Sequence, residues 1–179
     1  FITGRRTYAL AQELNDSLLL FNTVRTIGAV CVRKGYYKLA VVYYTEAQTI
    51  GEKMNIGKDL AKVYTGLAII FKRTENYPKA LAYNQRALAI DEQTGDSLGM
   101  AADYNNMGVV LRYLKQLDAS VDYLEKAIAI RRVIDKKKLP TTYANLGNTL
   151  CESGQHEKAI AVFLQAQAGR SLTPNDDLL

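Results

Sequence analysis

The chain has 179 residues, of which 48% are hydrophobic and 23% charged, a balance close to globular averages that excludes wholesale disorder. Its 23 Lys and Arg against 18 Asp and Glu leave a net charge of +5, a moderate bias toward acidic partners. No apolar run approaches the roughly 18 residues needed to span a membrane. The longest candidate, Leu18-Leu19-Leu20-Phe21, is followed by Asn22 and Arg25, so no membrane contact is expected within this chain. Phe1 is not an initiator Met and no charged-then-apolar leader follows it, so no signal peptide is expected. Only three prolines occur, which suits an all-helical chain. The two cysteines, Cys31 and Cys151, are expected to act as small apolar residues in a reducing, cytoplasmic compartment, not as a disulfide or metal pair.

Taken in order, the chain opens with Arg5 to Asp16 (RRTYALAQELND), which reads as the end of a helix. From there small residues recur as anchors. Gly28, Ala68, Gly108 and Gly147 follow one another at intervals of 40, 40 and 39 residues, the signature of stacked units. The first unit places Val24, Ile27, Gly28 and Cys31 on one helix, turns at Lys34-Gly35, and places Ala40, Tyr44 and Ala47 on a second. The next has Tyr64, Leu67, Ala68 and Phe71, a turn near Glu75-Asn76, then Ala80 and Ala87. The third has Tyr104, Met107, Gly108 and Leu111, a turn near Lys115-Gln116, then Ser120, Leu124 and Ala127. The fourth has Tyr143, Leu146, Gly147 and Leu150, a turn at Ser153-Gly154, then Ala159, Phe163 and Ala166. Spacings of three and four align the large residues on one helix face, and the glycine or alanine among them lets the partner helix approach. Long charged connectors are expected over Glu92–Asp96 and Asp135–Lys138, with Pro140 in the first turn of the next helix. The boundaries that result are 1–17 for the second helix of a truncated preceding repeat; 18–58, 59–97, 98–137 and 138–170 for four repeats; and 171–179 for a polar tail containing Pro174.

The order aromatic, large, Gly or Ala, large, followed by small residues at +12 and +19 from the anchor, resembles the tetratricopeptide repeat. Tyr104-Met107-Gly108-Leu111 with Ser120-Leu124-Ala127, and Tyr143-Leu146-Gly147-Leu150 with Ala159-Phe163-Ala166, are its clearest instances. The resemblance covers roughly Leu18 to Arg170. It implies an all-α fold, a right-handed α-α superhelix of the TPR solenoid kind. Units of this family normally repeat every 34 residues, so the longer period requires longer helices or connectors. That is similar to the extended subclass of kinesin light chains, Leu-Gly-Asn-type polarity scaffolds and bacterial TPR regulators. The closing proline is missing from all four units, and Asn84 stands where an aromatic is usual, with Tyr83 as its expected substitute.

In this family the first helices line a concave face where partners bind. On the first helix that face falls at 22, 25, 29, 32 and 33, about a third of a turn from the packing stripe. Across the four units, six of the twenty equivalent positions are basic: Arg25, Arg33, Lys62, Lys72, Arg73 and Arg112; Glu152 is the one acid. Cations in a groove suit carboxylates. Asn105, Asn106, Asn145 and Asn148 add amides that can both donate to and accept from a peptide, and the extended subclass implies that Asn106 and Asn145 hold an extended peptide's backbone. Tyr113 either offers a flat contact surface or packs as a loop-end aromatic. Two readings stand: a groove for an acidic or carboxylate-bearing peptide, or cations that are merely solvated beside asparagines bonded within the array.

No catalytic set, phosphate loop or Cys/His cluster is present, so an enzyme, a metal or a cofactor is not expected. His156 is expected to be a packing residue. Lys136-Lys137-Lys138 reads as a connector, and nucleic-acid binding is not expected because no aromatics interleave a continuous basic face. The expected function is a protein-protein interaction module. The alternative is the regulatory or sensory part of a bacterial signalling protein, acting by autoinhibition or by dimerisation, including as a homodimer, of an attached output domain.

Overall fold

A computed structural model describes residues 2–171, with side chains from Arg6 to Gly169. Its helices are α1 Ile2–Glu13, α2 Ser17–Arg33, α3 Tyr37–Met54, α4 Gly57–Arg73, α5 Tyr77–Thr94, α6 Ser97–Tyr113, α7 Leu117–Ile134, α8 Leu139–Glu152 and α9 His156–Ser171. No strand occurs among the described residues, and no helix there is long and apolar enough to cross a membrane. The expected polar tail lies outside the described residues from 172 onward, Pro174 included.

Backbone conformation explains where each helix stops. Asn15, Gly35, Asn55, Glu75, Gly95 and Lys115 all have positive φ, between 51° and 77°, and they fall 20 residues apart. Gly154 repeats the feature at φ 76°. A left-handed residue just past the last turn lets the following N–H fold back onto the helix. Thus Tyr36 N–H donates to Cys31 O at 2.9 Å, Asn76 to Phe71 O at 2.8 Å and Gln116 to Leu111 O at 3.0 Å. The next helix is then capped where an acceptor is available: Asp16 Oδ1 accepts from Leu19 N–H at 2.9 Å, and Asp96 Oδ1 from Gly99 N–H at 3.1 Å.

These turns correct the expected connectors. Glu92, Gln93 and Thr94 belong to α5, so the connection is reduced to Gly95 and the cap Asp96. The long period therefore resides in helices α2 to α7, which run to 17 or 18 residues. Between α7 and α8 the link is Asp135 and a 3-10 turn at Lys136–Lys138, with Pro140 in the first turn of α8, where its missing N–H costs nothing.

The chain divides into two units, Phe1–Thr94 and Gly95–Leu179. In the first, α2 packs on α3 and α4 on α5, with α1 against α2 and α3 against α4. Phe21, Val24, Tyr44, Val63, Leu67 and Ile70 are buried among small residues that include Ala40, Ala47 and Ala87. The Tyr44 ring sits where a Cβ on Gly28 would lie 3.0 Å from it, and a Cβ on Gly66 only 2.5 Å from its Cζ. One side chain from α3 is thus wedged between α2 and α4, and both helices are bare at the contact. Asn84, the counterpart of Tyr44, is 1% exposed and does not fill an aromatic's space. Tyr83 does: it stacks on Phe71 at 5.5 Å and 5°, and leans on Tyr64 at 6.0 Å.

In the second unit, α6 packs on α7 and α8 on α9, while α7 also meets α8. A Cβ on Gly108 would come within 2.6 Å of Leu124 Cγ, and one on Gly147 within 2.6 Å of Phe163 Cε1. Ser120 takes an alanine's place. Its hydroxyl donates to Gly108 O at 2.7 Å and meets Thr149 Oγ1 at 3.0 Å, so the polar atom is satisfied in the core. Two expectations fail here. His156 is exposed as the first residue of α9, whereas Tyr37, Tyr77 and Leu117 are half-buried. Cys31 is buried, but Cys151 is exposed, because it lies one step round α8 from the buried Gly147 and Leu150.

Gly66→Ala and Gly108→Leu should each destabilise the chain by about 1–3 kcal/mol through overpacking, read as a lower midpoint in thermal unfolding. Glu75→Gly should do the opposite. Relief of the left-handed strain, about 1–2 kcal/mol, outweighs the added chain entropy of glycine, about 0.4–1 kcal/mol. Urea titration should show a net gain.

Candidate peptide-binding face

In the first unit, α2 and α4 carry Arg25, Arg33, Lys62, Lys72 and Arg73. Arg25 is half-buried. Its Nη2 donates to Asn22 Oδ1 at 3.4 Å, its guanidinium lies 6.0 Å from the Phe21 ring centroid, and its Nε is buried without a partner. Arg33 and Arg73 are exposed. Lys72 is half-buried, and burial pushes its ammonium below the ordinary lysine value, with the neighbouring Arg73 charge pushing the same way. Lys62 differs from these. It pairs with Asp59 at 2.9 Å, with 55% and 39% of the two side chains exposed, a solvent-screened contact that largely satisfies its charge locally. Among the described residues no carboxylate lies within ion-pair distance of Arg25, Arg33, Lys72 or Arg73.

In the second unit the same stripes of α6 and α8 are arranged differently. Arg112 forms an ion pair with Glu152, and Lys115 reaches the other oxygen of that carboxylate at 2.8 Å. The hydrogen bonds from Lys115 and Arg112 hold the Glu152 carboxyl below its ordinary range. The Arg112 guanidinium also lies 4.7 Å from the Tyr113 ring centroid, and Tyr113 is 46% exposed. Asn145 Nδ2 donates to Asn105 Oδ1 at 3.0 Å, so these two amides join α8 to α6. Asn106 is half-buried and Asn148 is exposed.

The candidate residues therefore fall into two kinds. Arg25, Arg33, Lys72 and Arg73 present positive charge without an internal acid. Arg112, Asn105 and Asn145 already have partners within their own unit. One participant was not singled out from sequence. Lys115 was read only as a turn residue, yet its φ of 61° turns the chain there and its ammonium reaches Glu152.

Among the described residues no group of His, Cys, Asp and Glu is placed to hold a metal ion. One concavity of about 290 Å³ opens between α7, α8 and α9, lined by Ile128, Tyr143, Leu146 and Val162 with Arg132 at its edge. It lies on helix faces other than those that carry the cations.

The model of the tetratricopeptide repeat matches residues 59–133 and 101–171. No curated protein matches the chain. Among solved structures, BtubC (BKLC) from P. vanneervenii is 27% identical with a TM-score of 0.86, over 96% of this chain and 74% of that one. RapI in its apo form is 15% identical with a TM-score of 0.87, over 96% of this chain but 48% of its own. A Rap protein complexed with Competence and Sporulation Factor is 16% identical with a TM-score of 0.74, over 90% of this chain and 52% of that one. At such identity the Rap structures share the fold alone. The matched segments together run from residue 59 to residue 171, well over half of the sequence, and the chain belongs to the tetratricopeptide repeat family.

Proposed function

We propose that this chain is a protein-interaction module that holds an extended, acidic or carboxylate-bearing peptide on the α2 and α4 face of its first unit. The observation that carries this reading is the set of cations without internal acids: Arg25, Arg33, Lys72 and Arg73. Lys72 is the most telling of them. Folding removes its ammonium from part of its water and gives it no carboxylate in return, so an incoming anion meets a charge that is already partly desolvated. Arginine forks beside it suit bidentate contact with carboxylates.

The second unit has a different part in this reading. Glu152 pairs with both Arg112 and Lys115 in advance and offsets part of their charge, so that face competes less for acidic groups. Asn105 and Asn145 are engaged with each other. The Rap complex supports the general idea, since an array of the same fold is solved with a bound factor. We place the module in the cytoplasm, where the free thiols of Cys31 and Cys151 stay reduced.

Fluorescein-labelled synthetic peptides of rising Asp and Glu content, titrated by anisotropy, test the reading. Affinity should rise with acidic content and fall with added salt. The double variant Lys72→Ala/Arg73→Ala should weaken binding by about tenfold or more, equivalent to about 1.4 kcal/mol, while Arg112→Ala should change it far less. Equal binding of neutral and acidic peptides, or an unaffected double variant, would sink it.

A further inference from the structure

Two hairpins show what ordinarily covers the tyrosine of a first helix. Tyr83 of α5 leans on Tyr64 of α4 at 6.0 Å and 40°, and Arg86 lies over both rings. Tyr123 of α7 leans on Tyr104 of α6 at 5.9 Å and 37°, with Lys126 over both. A ring and a cation three residues apart on the second helix thus close the space above the first. The last hairpin breaks this pattern. Tyr143 of α8 repeats Tyr64 and Tyr104, but Val162 and Gln165 of α9 stand where the siblings have their tyrosine and their cation. There the concavity of about 290 Å³ opens. Tyr143, Leu146 and Ile128 line it, none more than 9% exposed, and Val162 and Gln165 line it from α9.

Its size and its charges limit the occupant. The volume falls just below the roughly 300–1,000 Å³ of pockets that enclose whole small ligands, and it suits a single aromatic side chain. Glu125 and Arg132 also line it, both exposed and two turns apart on α7, or about 10.5 Å along the helix axis. Neither has an ion-pair partner among the described residues. Arg132 Nε donates to the Tyr143 hydroxyl at 3.1 Å, which fixes the guanidinium beside that ring. The concavity is therefore apolar at its base, with one cation and one anion bracketing it along α7.

We propose that this concavity is a second binding site, which takes a tyrosine side chain from an extended partner peptide. The incoming ring leans on Tyr143, as Tyr83 leans on Tyr64 and Tyr123 on Tyr104. An acidic residue on one side of it meets Arg132, and a basic residue on the other meets Glu125. In an extended peptide every second side chain shares a face, so the sequence Glu-Gly-Tyr-Gly-Lys presents all three groups together. The site lies on other helices than the acidic-peptide face and does not depend on that reading.

The fluorescein-labelled peptide Glu-Gly-Tyr-Gly-Lys, titrated against the full chain by anisotropy, tests the site. Binding should saturate, and replacing the peptide's tyrosine by alanine should weaken it about tenfold or more. Val162→Tyr supplies the siblings' ring from within. It should weaken binding by a similar factor and raise the melting temperature, because the chain then fills its own concavity. Glu125→Gln, an exposed change, should weaken binding several-fold and leave the melting temperature unchanged. Undiminished binding to Val162→Tyr, or a lowered melting temperature in that variant, would overturn the proposal. So would displacement of the peptide by an equal concentration of p-cresol, which would make this a small-molecule site. A dimer of the parent that Val162→Tyr dissociates in sedimentation would make the occupant a second copy and overturn it too. Loss of this peptide in Lys72→Ala/Arg73→Ala would place it on the other face.

Discussion

In three of the hairpins, α2–α3, α6–α7 and α8–α9, the separation of the paired helices is set by one large side chain resting on a residue that has none. Leu124 on Gly108 and Phe163 on Gly147 show the simple form, with contacts so close that even a methyl group would collide. Tyr44 shows the elaborated form, a ring held between Gly28 of its own hairpin and Gly66 of the next. The alanines at 40, 47, 80 and 87, all fully buried, follow from the same constraint, because nothing larger fits at that spacing. Even the one polar exception, Ser120, is small and has both of its hydrogen-bonding needs met by neighbouring helices. Packing occupies one stripe of each first helix most tightly and leaves the adjacent stripe less constrained. That stripe is where the two units diverge.

On α8 the stripe ends in Glu152, which reaches back across the hairpin stack to Arg112 and Lys115 and closes a local ion network. On α2 and α4 no acid is offered, and the basic side chains keep their charge for something outside the chain. The same helix geometry thus gives one face whose positive charge is partly offset internally and one whose positive charge is not. The aromatic-cation clusters on the second helices repeat between the units instead. Arg86 lies over Tyr64 and Tyr83, and Lys126 over Tyr104 and Tyr123, at centroid distances of 5.0 to 5.9 Å. Their recurrence at a 40-residue offset marks them as part of the scaffold and not of its specificity.

The helices and the turns at Gly35, Glu75, Lys115 and Gly154 were legible from the spacing of small and large residues, because close packing demands those types at those positions. The division between helix and connector was not. Glu92, Gln93 and Thr94 are compatible with either, and only the left-handed Gly95 shows where α5 stops. At the candidate site, position on a helix showed which residues leave the core but not what meets them there. Arg112 and Glu152 are 40 residues apart, and their pairing depends on how α6 and α8 lie together. Tyr44 was hidden for a related reason. Its ring satisfies the packing pattern of its own hairpin, and its second contact depends on a glycine 22 residues away on another helix.

The even placement of left-handed residues has a kinetic consequence. Because turns within a hairpin and turns between hairpins come at the same 20-residue interval from Asn15 to Lys115, neither kind needs a long loop to close there. Helices within each unit meet their neighbour in sequence or the next but one, as in the α2–α4 and α6–α8 contacts. Such local topology belongs to the class in which ordering one turn carries little loop entropy and folding can begin at any hairpin and spread outward. The glycine seats then act as checkpoints along that spread. A helix docked one turn out of register would bring a Cβ, not a bare backbone, beneath the incoming Tyr44, Leu124 or Phe163, and the mismatch would be rejected before the next helix arrives.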